Sequence, residues 1–123
     1  MQGLHLTADL AGCDPTRPLM REPEALRLAC LAAVRQAGLQ PVGELFHRFP
    51  PPGGITGVVL LAESHLAVHT WPELGAVTLD VYVCNLGADN SARAQALLAA
   101  LRAGFKPQAA QVQRLQRGLP NGA

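Results

Sequence analysis

Aromatic side chains are scarce: Phe46, Phe49, Trp71, Tyr82 and Phe105 are all that 123 residues contain. So few rings leave little for bases to stack on. Ten basic residues against nine acidic ones supply no stripe to follow a phosphate backbone, so no nucleic-acid partner is expected. Long apolar runs are also missing. The best, residues 58–62, falls far short of the ~18 residues a membrane span needs, and residues 1–10 lack the basic start of a targeting segment. The three cysteines, Cys13, Cys30 and Cys84, are odd in number and form no CxxC. This argues against a disulfide framework or a zinc ribbon and predicts a reducing, cytoplasmic setting. No His, Cys and carboxylate set has metal-ligand spacing, so no metal is expected.

What is present is apolar: 49% hydrophobic residues against 15% charged, which argues against disorder. At 13.0 kDa, residues 1–123 form a single domain. The low charge predicts that part of the surface is covered by another subunit.

Leu4, Leu6 and Ala8 alternate with His5, Thr7 and Asp9, the period of a half-buried strand. Residues 12–23, with Gly12, Asp14, Pro15 and Pro18, predict a loop. Leu26, Ala29 or Cys30, Ala33 and Ala37 mark one face of a helix over residues 22–37, with Gly38 to end it. A strand over 42–49 is stopped by Pro50-Pro51-Pro52-Gly53-Gly54. Further strands follow over 57–62, 65–70 and 77–84, with a turn over 71–75. Asn90 or Ser91 opens a helix that buries Ala94, Leu97, Leu98 and Leu101 and stops near Gly104. Residues 111–115 suit an edge strand and 118–123 a frayed tail. The order β-α-β-β-β-β-α-β predicts an α+β two-layer sandwich: a largely antiparallel sheet with two helices on one face. The other face is polar and lacks a partner, which favours dimerisation through sheet faces.

His65 and His69, four apart, share one side of their strand, and Cys84 shares a side with Asp80 and Tyr82. If these strands pair through the turn at 71–75, a His and a Cys face each other beside Ser64. Singly, each has an ordinary explanation: a strand histidine is usually inert, a buried cysteine is packing, and a serine at a strand break turns the chain. Together they resemble an acyl-transfer or thiol site.

Three segments carry a resemblance. They are Phe46-His47-Arg48-Phe49, then Gly57-Val58-Val59-Leu60-Leu61-Ala62-Glu63-Ser64-His65-Leu66-Ala67-Val68-His69-Thr70-Trp71-Pro72-Glu73, then Leu79-Asp80-Val81-Tyr82-Val83-Cys84. With Leu4-His5-Leu6-Thr7-Ala8-Asp9-Leu10 and Gly12-Cys13-Asp14, they make the chain similar, from residue 3 to about 118, to bacterial S-adenosylmethionine decarboxylase proenzymes of the short, pyruvoyl-dependent class. The resemblance implies self-cleavage between Glu63 and Ser64, into a β chain of residues 1–63 and an α chain of residues 64–123. Ser64 would become a covalent pyruvoyl group, with His69 as the base for elimination and Thr56 supporting the processing. The ketone would then take the amine of S-adenosylmethionine and accept the electrons released with CO₂. The product, decarboxylated S-adenosylmethionine, is the aminopropyl donor for spermidine. By the same matching Cys84 is the proton donor, Glu73 binds the ribose hydroxyls and Phe49 stacks on adenine. The family is a homodimer of αβ protomers whose sites take residues from both.

Of the remaining candidates, His5 and His47 read as strand residues, Cys30 as core, and His65 as packing or catalytic. Cys13 lies in the matched loop. Thr56 stands where the family has serine in Gly-Val-Ser-Gly, Ala11 where an aromatic is common, and Asn85 where glycine usually follows the catalytic cysteine. The missing aromatics keep a pyruvoyl-dependent L-ornithine or L-arginine decarboxylase as an alternative. A non-catalytic homologue that binds an active subunit is a third reading, set against the retention of Ser64, His69 and Cys84.

Overall fold

A computed structural model describes residues 1–119. Six strands form one antiparallel sheet, β1 (Gln2–Ala11), β2 (Pro41–Arg48), β3 (Ile55–Leu61), β4 (Ser64–Trp71), β5 (Ala76–Cys84) and β6 (Ala109–Gly118), in the order β2-β3-β4-β5-β1-β6. Three helices accompany it: α1 (Pro18–Arg21), α2 (Pro23–Gln36) and α3 (Ser91–Phe105). The expected α+β sandwich is therefore present, with one helix more than the sequence reading allowed.

That extra helix is a single turn inside the expected loop. Pro18 stands at its start, where a missing N–H costs nothing, and Met20 is buried beneath it. The buried stripe of α2 is Leu26, Cys30, Leu31, Ala33 and Val34, and that of α3 is Ala94, Leu97, Leu98, Leu101 and Phe105. Both lie against the inward rows of the sheet: Leu4, Leu6, Ala8 and Leu10 on β1, Leu66 and Val68 on β4, and Val77, Leu79, Val81 and Val83 on β5. This apolar alternation fixes the register, since a slip of one residue would turn every such side chain outward.

Strand ends differ from expectation where alternation is weak. β6 runs ten residues, paired along its length with β1, although its side chains are exposed on both faces and give no period to read. β3 begins at Ile55 and β4 at Ser64, so Ser64 belongs to the strand and not to the break before it. The expected frayed tail lies, from residue 120, outside the described residues.

One polar side chain is buried in the helix-side layer. Thr70 Oγ1 donates to the Met20 carbonyl at 2.8 Å and accepts from the Ile55 amide at 3.0 Å, tying α1 to the start of β3. Gly54 lies against the same residue, where a Cβ would meet the Thr70 carbonyl.

The opposite face carries no helix. Across its centre, Thr56 of β3, His65 and His69 of β4, Thr78, Asp80 and Tyr82 of β5, and His5 and Thr7 of β1 are all half-buried. Leu45, Leu60, Trp71 and Leu115 stand exposed on the same face.

Candidate active site

The candidate residues gather at the two ends of β4. At the first, β3 and β4 are joined through Ala62 and Glu63, with Leu61 paired to Ser64. Glu63 has φ 58°, the left-handed region, which costs a residue with a Cβ about 1–2 kcal/mol. Ser64 follows directly. Its Oγ accepts a hydrogen bond from the Cys84 amide at 3.2 Å, which brings the end of β5 against the start of β4. Cys84 is 7% exposed, and its carbonyl accepts from Asn90 Nδ2 at 2.9 Å. On the neighbouring position of β4, the His65 ring lies 5.6 Å from that of Tyr82, its register partner.

At the second end, His69 pairs with Thr56 on one side and Thr78 on the other. Its Nδ1 lies 3.1 Å from Thr56 Oγ1. The Trp71 ring stacks on it, 5.7 Å between centroids at 26°. These side chains open on a pocket of about 250 Å³ lined by Phe49, Gly54, Thr56, His69, Trp71 and Glu73. Half of the Phe49 surface is free, and His47 packs edge-on against that ring at 4.7 Å.

Ser64 and Cys84 therefore meet, as do Thr56, His69, Phe49 and Glu73, but the two groups are apart. Five residues of extended strand separate Ser64 from His69, about 17 Å at ~3.3–3.4 Å per residue. The pairing of β4 with β5 sets His69 opposite Thr78, so the histidine nearest Ser64 and Cys84 in the sheet is His65. The other thiols belong to the core. Burial pushes the Cys30 pKa up to about 12 and raises that of Cys13.

Sequence reasoning passed over three participants. Trp71 looked like a turn residue. Asn90 carried only the signature of a helix cap. His5, read as a strand residue, has Nε2 3.1 Å from Asp80 Oδ1, a cross-strand contact that depends on register. Among the described residues no helix is long and apolar enough to cross a membrane, and no three His, Cys, Asp or Glu side chains gather as a metal site.

Comparison with known proteins bears on this arrangement directly. Residues 4–118 match the family model described as S-adenosylmethionine decarboxylase. An S-adenosylmethionine decarboxylase proenzyme of Pyrococcus furiosus is 38% identical over 117 residues, covering 95% of this chain and 79% of its own. One from Aquifex aeolicus is 46% identical over 82 residues, 67% of this chain and 58% of its own. The crystal structure of the adenosylmethionine decarboxylase from Aquifex aeolicus superimposes with a TM-score of 0.85 at 36% identity, covering 98% of this chain and 94% of that one. The sequence match, the shared sheet and the near-complete coverage agree: the chain belongs to the S-adenosylmethionine decarboxylase family.

Proposed function

We propose that the protein decarboxylates S-adenosylmethionine to the aminopropyl donor used in spermidine synthesis, after cutting itself between Glu63 and Ser64 into residues 1–63 and 64–123. The observation that carries this reading is the junction itself: a serine directly after a left-handed, non-glycine residue, its hydroxyl held on the Cys84 main chain. The name shared by the relatives supports S-adenosylmethionine over ornithine or arginine as substrate. Three free cysteines suit a reducing cytoplasm.

Self-cleavage begins when Ser64 Oγ attacks the Glu63 carbonyl carbon. The peptide nitrogen leaves as an amine and an ester takes its place, a step that also frees Glu63 from its left-handed backbone. A base then removes the Ser64 Cα proton, and the Glu63 carboxylate departs with the electrons of the ester C–O bond. The dehydroalanine that remains takes up water and loses ammonia, leaving pyruvoyl at residue 64. His69 suits the base: its Nδ1 lies 3.1 Å from Thr56 Oγ1, and in the tautomer that carries the proton on Nδ1 and donates it to that hydroxyl, Nε2 keeps its lone pair.

That histidine is beyond reach of Ser64 in its own chain, and the separation supports a homodimer. Two copies stacked through their open faces, with strands reversed, bring His69 and Thr56 of one over Ser64 of the other. The same contact covers Leu45, Leu60, Trp71 and Leu115, which stand exposed on that face.

The chain's residues fit a group built from Ser64, since position 64, half-buried at the start of β4, adjoins Cys84. Pyruvoyl there supplies a ketone that takes the substrate amine and accepts the electron pair left by CO₂. Cys84 returns a proton to the substrate carbon. Phe49 offers a ring face for adenine, and Glu73, in the same pocket, accepts from the ribose hydroxyls.

Mass spectrometry of the purified protein tests the cut, with two fragments and a blocked residue 64 expected. Decarboxylation is then measured with S-adenosylmethionine, ornithine and arginine side by side. A single intact chain, or CO₂ released only from ornithine or arginine, overturns the reading.

A further inference from the structure

At its far end β5 runs out of neighbour on one side. The Asn85 amide donates to the Gln2 carbonyl at 2.8 Å. By the alternation of an antiparallel ladder, the N–H and C=O of Cys84 therefore point away from β1 and towards β4. There β4 is only beginning, and the chain leaves it through Glu63. Two side chains stand in for the missing strand. Ser64 Oγ accepts from the Cys84 amide at 3.2 Å, and Asn90 Nδ2 donates to the Cys84 carbonyl at 2.9 Å.

Asn90 occupies the N-cap position of α3 yet makes no capping bond, the usual duty of an asparagine there. The Ser91 amide is taken instead by the Asp89 carboxylate at 2.9 Å. Asn90 Oδ1 accepts from Arg93 Nη1 at 2.8 Å, and its own amide donates to Asn85 Oδ1 at 2.8 Å. The Arg93 contact orients the carboxamide with its nitrogen towards Cys84. Every polar group of Asn90 other than its carbonyl, which accepts from Ala94 in the helix, is thus committed to the end of β5 or to holding that orientation.

We propose that Asn90 is a positioning residue for proton return: it keeps the Cys84 thiol aimed at the reacting carbon. This rests on the reading of Cys84 as proton donor. Processing carries the Ser64 hydroxyl oxygen away in the Glu63 carboxylate and leaves a methyl carbon in its place, the ketone oxygen on Cα coming from water, so the Cys84 amide loses that hydroxyl partner as the mature enzyme forms. Asn90 is the side-chain hold that survives. Without its N–H, the Cys84 carbonyl has no donor in place, and the end of β5 can shift by a fraction of an ångström. The electron pair left by CO₂ then collects a proton on the carbon of residue 64 instead of on the substrate carbon. Water releases the substrate portion as an aldehyde, the nitrogen stays behind, and residue 64 becomes alanine.

The test uses Asn90→Asp in the self-processed dimer. Aspartate keeps an acceptor for Arg93 and is itself favourable at an N-cap position, but presents no donor to the Cys84 carbonyl. Chain cleavage, KM and the unfolding midpoint are expected to stay close to the parent. The alanine formed at residue 64 per product released, read from the mass of the fragment 64–123, should rise about tenfold, in keeping with the cost of small misplacements. Asn90→Ser, also a good cap without that donor, replaces it if the aspartate variant is not recovered. Cys84→Ala is measured alongside. Alanine rising in Cys84→Ala but unchanged in the Asn90 variant overturns the positioning role alone. Full turnover without alanine in Cys84→Ala overturns the donor reading, and the positioning role with it.

Discussion

If each site takes its base from one copy and its serine from the other, two defective chains should repair each other. Ser64→Ala keeps His69 but has no hydroxyl to attack Glu63, so alone it stays a single chain. His69→Ala keeps the hydroxyl but lacks the base. General-base removal costs about 10²–10⁴-fold, so it too should accumulate uncut within the time of an expression culture. Within either chain, residues 64 and 69 lie about 17 Å apart along β4 at the ordinary strand rise, whereas proton abstraction requires about 3 Å. No side-chain rotation closes that gap. In a mixed dimer, one of the two sites joins His69 of the Ser64→Ala copy to Ser64 of the His69→Ala copy, while the other site has neither group. Random pairing in equal co-expression puts about half of the His69→Ala chains in such dimers. About half of them should therefore be cut, and none of the Ser64→Ala chains. Distinct tags let intact mass report each chain separately. No cleavage in the mixture, with mixed dimers present by tag pull-down, refutes the shared site.

Other consequences follow from the same geometry. His69→Ala alone should stall as the ester, and hydroxylamine, which attacks esters but not amides, should then split it into residues 1–63 and 64–123; resistance to hydroxylamine removes His69 from the elimination step. Gly54→Ala drives a Cβ against the Thr70 carbonyl, with Thr70 Oγ1 and Pro72 Cδ each at 2.6 Å, so urea titration should show a loss of about 1–3 kcal/mol, typical of overpacking, together with slower self-cleavage because Thr56 is two residues on. Burial holds Cys30 protonated up to about pH 12 against an ordinary value of 9.0. The unfolded chain thus loses that proton first, and stability complete below about pH 9 should fall as pH rises towards 12, by up to about 4 kcal/mol at 1.36 kcal/mol per pH unit. Cys30→Ala should lack that part of the alkaline slope, and an unchanged slope refutes the assignment.

Much of the scaffold was legible because the buried face of each inner strand is almost wholly apolar, Thr70 on β4 being the buried polar side chain. The alternations of β1 and β5 and the stripe of α3 survive in the structure residue for residue. Where the pattern faded, so did the reading. β6, exposed on both faces, was seen over half its length, and α1 hid among prolines because four residues show no period. The site was harder. Alternation tells which side of a sheet His69 occupies but not how far along its neighbour Cys84 lies. That depends on where the short 3₁₀ turn at Pro72–Leu74 sets the register. Asn90 was legible only as a cap, since nothing local reveals that its carboxamide reaches back six residues to Cys84.

The strand order has a further consequence for a chain cut at Glu63. The first fragment contributes β1, β2 and β3, the second β4, β5 and β6. Were the halves side by side, the nick would leave a single seam, and they could drift apart along it. Instead β1 is dovetailed between β5 and β6, with β3 against β4 as a second seam. To leave, the first fragment must unzip from its counterpart along three edges at once, including one lined by the central core residues Leu4, Leu6 and Ala8. Severing the backbone thus costs the molecule a covalent link without giving either piece a low-energy exit. An enzyme that makes its catalytic group by breaking its own chain can do so in place and remain assembled afterwards.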